Sequence, residues 1–169
     1  MRVSCGQEAF RRHLEYRFDG GGNALSSALL GTSRTWDGTP FTIGVAGSSD
    51  VVSAAGQTIR LPAGNYASLR LLATAVNGNQ ADQAFTVRYA DGTTATFTQS
   101  ISDWYTPQGY AGESTAVTMG YRDRSDGTRD GRTFYVYGYS FALDATKTIA
   151  SITLPDRGDV QILAIDLVR

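Results

Sequence analysis

From residue 19 onward the apolar positions of the chain recur at intervals of two, and turn residues interrupt them about every 8–12 positions. In FTVRYADGTTATFT, Phe85, Val87 and Tyr89 share one side of a strand while Thr86 and Arg88 take the other. Asp91-Gly92 follows, a pair that supplies the positive φ of a type I′ hairpin turn. The same device stands in TWDGTPFTIG, where Asp37-Gly38 separates Trp36 from Phe41 and Ile43. QTIRLPAG alternates through Ile59 and Leu61 and then meets a Pro-Ala-Gly turn. YASLRLLATAV is apolar almost without a break and stops at Asn77-Gly78-Asn79. STAVTMGYRD, RTFYVYGYSFAL, KTIASITLP and VQILAIDLV bring the set to about ten strands.

This many antiparallel strands in one domain predict an all-β fold, a two-sheet antiparallel β-sandwich of jelly-roll type, with a β-barrel as the alternative. No internal repeat points to a propeller or solenoid. Helical period occurs only in AFRRHLEYRF, where Phe10, Leu14 and Phe18 fall at i, i+4 and i+8. Residues 1–17 read as an N-terminal tail or linker remnant, and residues 18–169 as a single sandwich module.

Composition narrows the setting. Charged residues make up 18% of the 169, the formal net charge is -1, and Gly, Ser, Thr and Tyr are abundant. This balance carries no electrostatic footprint for nucleic acid or an anionic membrane and suits an extracellular all-β domain. Cys5 is the one cysteine, so neither an internal disulfide nor a cysteine metal site is expected. The N-terminus lacks the apolar stretch of a signal peptide, so a secreted form is expected to carry its signal on a longer parent chain.

Candidate chemistry is sparse. The one histidine, His13, lies in the tail, and the G-x-S-x-G, P-loop and H-E-x-x-H patterns do not occur. Glutamate occurs at positions 8, 15 and 113, which leaves Asp103 with Glu113 as the carboxylate pair a glycosidase would need. In YRDRSDGTRDGRTF, Asp123, Asp126 and Asp130 suggest a structural calcium ion. Arg122, Arg124, Arg129 and Arg132 interleave with them, and an ion-paired hairpin loop is the preferred reading. No cofactor is expected.

The aromatic residues offer more. Tyr135, Tyr137, Tyr139, Phe141 and Leu143 share one face of a strand and read as the core side of a sheet, with stacking on sugar rings as the alternative. SISDWYTPQGYAGEST is different, because pleating does not account for its rings. Trp104 is expected to plug one end of the sandwich. Tyr105 and Tyr110 either join it or stand at the rim of a sugar site, where Asp103, Gln108 and Glu113 would bond hydroxyls. The candidate ligand-binding set is therefore Asp103, Trp104, Tyr105, Gln108, Tyr110 and Glu113.

FDGGGNALSSALL, TWDGTPFTIG, DVVSAAGQTIRLPAGNYASLRLLATAVNGNQ, FTVRYADGTTATFTQSISDW and GYSFAL together resemble an accessory β-sandwich domain. That domain is appended to secreted bacterial glycoside hydrolases and other extracellular hydrolases. The resemblance spans Phe18 to Val168. It implies a non-catalytic carbohydrate-binding module that holds a neighbouring catalytic domain near its polysaccharide. Such domains enter FDGGG through a further strand-like segment, where this chain has MRVSCGQEAFRRHLEY, so an altered or missing first strand and an open sheet edge are expected. Two other functions compete with sugar binding. One is a structural domain that packs on a catalytic partner or self-associates, and the other is a small hydrolase using Asp103 and Glu113.

Overall fold

The computed structural model describes residues 18–45 and 50–169. In chain order the elements are β1 (Asn23–Leu25), α1 (Ser27–Leu30), β2 (Ser33–Trp36), β3 (Thr39–Thr42), β4 (Val52–Ser53), β5 (Thr58–Gly64) and β6 (Ser68–Ala75). After these come β7 (Gln80–Tyr89), β8 (Thr94–Ile101), β9 (Glu113–Met119), β10 (Arg122–Arg124), β11 (Arg129–Asp130), β12 (Phe134–Ala142), β13 (Ile149–Thr153) and β14 (Val160–Val168). The tail expected over residues 1–17, with Cys5 and His13, and the altered or missing first strand expected there lie outside the described residues.

Two sheets form the sandwich, ordered β4-β14-β6-β12-β9 and β5-β13-β7-β8, and every strand pair in them is antiparallel. With β9 set aside as an added edge, the chain crosses between sheets at every step except the β7–β8 hairpin, so that β4, β14, β6 and β12 face β5, β13, β7 and β8. That is the jelly-roll arrangement of two Greek keys, as the strand pattern predicts.

The apolar run in β6 has a direct cause. Leu69, Leu71, Ala73 and Ala75 enter the core between the sheets, whereas Leu72 enters a second core on the other side of the same sheet. A strand buried on both faces has no polar alternation to show. The second core is roofed by the segment 18–43, including the β2–β3 hairpin and α1. The aromatic stripe of β12 is likewise internal. Tyr137, Tyr139 and Phe141 belong to the inter-sheet core, and Phe134 and Val136 to the second. Gly138 is required between them, because a Cβ there would lie 2.1 Å from the ring of Trp36. Trp36 is thereby seated on the sheet, with Nε1 donating to Ser114 Oγ at 2.9 Å.

Two turns differ from expectation. Asp37 (φ 46°) and Gly38 (φ 74°) make the two-residue type I′ turn. The β7–β8 connection is instead a type I turn with a glycine bulge. Tyr89 N–H donates to the Thr93 carbonyl at 2.9 Å and Gly92 N–H to the Tyr89 carbonyl at 3.0 Å, and Gly92 alone in that turn has positive φ. The Asp91 carboxylate accepts from the Thr93 amide (2.9 Å) and hydroxyl (2.6 Å), a local bond that keeps Asp91 out of the left-handed region. Pro62-Ala63-Gly64, expected as a turn, continues β5. This strand is a sheet edge, where a proline leaves no ladder bond unmade, and the register against β13 shifts there.

Candidate functional site

The loop between β8 and β9 is anchored first by its backbone. Ala75 N–H donates to the Ser102 carbonyl at 2.9 Å, Trp104 N–H to the Ala75 carbonyl at 2.8 Å, and Tyr135 N–H to the Trp104 carbonyl at 2.7 Å. The strand thus turns across the end of the sandwich and carries Trp104 into the second core. There its ring lies 5.0 Å from Phe18 and 4.9 Å from Phe134, with the Arg122 guanidinium 5.0 Å from its centre. Trp104 is buried and has no surface to offer a ligand.

Both carboxylates of the candidate set face the loop itself. Asp103 accepts from the backbone N–H of Gly78 at 2.9 Å and of Tyr105 at 2.8 Å, while its own N–H donates to Asn79 Oδ1 at 2.7 Å. Its carbonyl accepts the Tyr137 hydroxyl at 2.9 Å. Glu113 accepts from Ser102 N–H (3.0 Å), Ser102 Oγ (2.6 Å) and the Tyr139 hydroxyl (2.6 Å). Ser102 Oγ in turn accepts the Gln108 N–H at 2.9 Å. Burial, reinforced by the Glu113 carboxylate, pushes the Tyr137 and Tyr139 hydroxyls well above the usual phenol range, so both stay protonated donors. The geometry therefore gives Asp103 and Glu113 the work of setting the loop's path.

Tyr105, Gln108 and Tyr110 remain toward the surface. Tyr105 is 42% exposed and, with Val45, makes up the exposed large hydrophobic residues among those described. Its ring contacts Phe134 (5.6 Å) on the protein side, and the Arg132 guanidinium stands 4.6 Å from its centre. Gln108 is exposed, its amide nitrogen donating only to the nearby Thr106 and Pro107 carbonyls at 3.2 and 3.4 Å. Tyr110 is half-buried, and its carbonyl accepts the Glu113 N–H at 3.0 Å as the loop re-enters β9.

The Arg132 contact comes from a cluster the sequence only hinted at. Arg122, Arg124 and Arg132 all pair with the buried Asp130, and Arg122 also reaches Asp19 at 3.4 Å. The paired guanidiniums, Arg132 foremost, hold the Asp130 carboxyl far below the usual carboxylate range. Asp126 caps its own turn through the Thr128 amide and hydroxyl, at 2.9 and 2.6 Å. YRDRSDGTRDGRTF is thus an ion-paired hairpin. Among the described residues, no three carboxylate, histidine or cysteine side chains gather as a metal-binding cluster. No helix among them is long and apolar enough to cross a membrane.

The chain belongs to the family of AziU2-like beta-sandwich domains, whose model matches residues 5–169. No curated protein matches it.

Proposed function

We propose that this domain is a non-catalytic carbohydrate-binding module that targets an appended glycoside hydrolase to a neutral polysaccharide outside the cell. The observation that carries the reading is the exposure of Tyr105 on a loop held in place by two internally bonded carboxylates. A ring and a neighbouring amide fixed in advance lose little freedom when a sugar stacks on them, which is how a shallow surface gains useful affinity. Tyr105 and Tyr110 supply stacking and Gln108 supplies hydrogen bonds. Asp103 and Glu113 keep the platform in shape, and their use within the loop supports the non-catalytic part of the proposal.

Affinity electrophoresis of the isolated chain through gels containing cellulose derivatives, xylan, galactan and β-glucan tests this. Selective retardation by one neutral polymer, lost in Tyr105→Ala, is expected. Retardation by none of them sinks the proposal and favours a domain that packs on a catalytic partner or self-associates.

A further inference from the structure

The four-stranded sheet turns its outer face away from both cores, the second of which holds Trp104. Its register brings two rows of side chains together. One row runs Thr58, Thr153, Thr86, Thr96 across all four strands, and the next runs Arg60, Ser151, Arg88, Thr94. Thr58 and Thr153 share a hydrogen bond of 2.8 Å, and Thr86 and Thr96 one of 3.1 Å, so the hydroxyls form an ordered line. Neither row contains a carboxylate or an aromatic ring.

Arg60 and Arg88 stand apart electrostatically. Among the described residues they are the two basic side chains with no hydrogen bond, ion pair or ring contact. The others have a carboxylate, a carbonyl or amide oxygen, or an aromatic ring. Uncompensated positive charge is thus concentrated on this face although the whole chain has a net charge of -1. Both arginines are exposed, and Ser151, which lies between them, is buried. One strand separates them, so their backbone positions are about 9.5 Å apart, twice the interstrand spacing. That is close to the length of two linked sugar residues.

We propose that this face binds an acidic polysaccharide laid across the strands. Anionic groups on alternate sugars, uronate carboxylates or sulfate esters, would meet Arg60 and Arg88, and the threonine line would bond sugar hydroxyls. A planar guanidinium pairs with either anion through parallel N–H bonds. A nucleic acid fits less well: its charge density calls for more cations, and no ring stands in these rows for a base to stack on.

The proposal is independent of the Tyr105 loop, and its test keeps the two apart. The chain is run through gels containing polygalacturonate, dextran sulfate or uncharged dextran, with a single-stranded DNA competitor in parallel. The expected result is retardation by at least one acidic polymer and none by dextran, weakening as salt is raised. Arg60→Gln with Arg88→Gln lowers that affinity about tenfold, as for two exposed charge pairs, and Tyr105→Ala leaves it unchanged. Which acidic polymer retards the chain decides between carboxylate and sulfate. The proposal is overturned by no retardation in either acidic gel at low salt, by an unchanged affinity in the double glutamine variant, or by DNA competing as well as the glycan.

Discussion

Replacing Glu113 with alanine separates a ligand-contacting carboxylate from one that holds its own loop. The substitution removes the acceptor of three hydrogen bonds, from Ser102 N–H, Ser102 Oγ and the Tyr139 hydroxyl. The Ser102 N–H is fixed by the backbone and the Tyr139 hydroxyl by its ring, and Ser102 and Tyr139 are both 0% exposed. A buried donor left without a partner costs about 1–3 kcal/mol, so the two together cost roughly 4 kcal/mol. Set against a total stability of about 5–15 kcal/mol, this leaves a folded but weakened domain. In a chain of this size the midpoint of thermal unfolding drops by roughly 10 °C. Urea denaturation followed by tryptophan fluorescence measures the change, with Glu113→Gln, which keeps one acceptor oxygen, falling between the two. A Glu113→Ala variant within about 0.5 kcal/mol of the parent would refute the reasoning, because that is the behaviour of an ordinary surface side chain.

Gly138→Ala places a methyl group within the Trp36 ring and should destabilise the fold by about 1–3 kcal/mol in the same denaturation assay. Adding Trp36→Ala should recover part of that loss, and no recovery would mean the clash lies elsewhere. The Asp130 carboxyl is held below its ordinary range by Arg132 and its neighbours. Its stabilising contribution is therefore present above the unfolded-state value of about 4 and is lost as the pH falls below it. Stability measured from pH 6 to pH 2 should decline in the parent and decline less steeply in Asp130→Asn, and parallel curves would contradict that assignment.

Much of the architecture was legible because local pattern and tertiary demand agree. Phe85, Val87 and Tyr89 alternate because one face of β7 is buried, and the unbroken apolar run of β6 reflects a strand between two cores. The misread turns are places where a longer-range fact decides. Asp91-Gly92 is compatible with two hairpin geometries, and the Thr93 bonds select one. Pro62 ends a central strand but not an edge strand, and edge position is a property of the sheet. In the candidate loop both rings touch Phe134, and the burial of Trp104 follows from its further contact with Phe18, distant in sequence. The inward turn of Asp103 and Glu113 was illegible for a related reason. Their partners, the amides of Gly78 and Ser102 and the hydroxyl of Tyr139, carry no signature that separates them from solvent-facing groups.

The most direct test of the account is a binding titration of the parent and Tyr105→Ala against the neutral polysaccharide that retards the parent, with the stability of both recorded. Tyr105 is 42% exposed but touches Phe134 and the Arg132 guanidinium, so the substitution should cost about 1–2 kcal/mol and leave the domain folded. Removing one stacking ring should weaken binding by about 1.4 kcal/mol, roughly tenfold. Loss of binding by a variant that remains folded is the result the account predicts. Equal binding by the two proteins would contradict it and remove the β8–β9 loop from consideration as the sugar site.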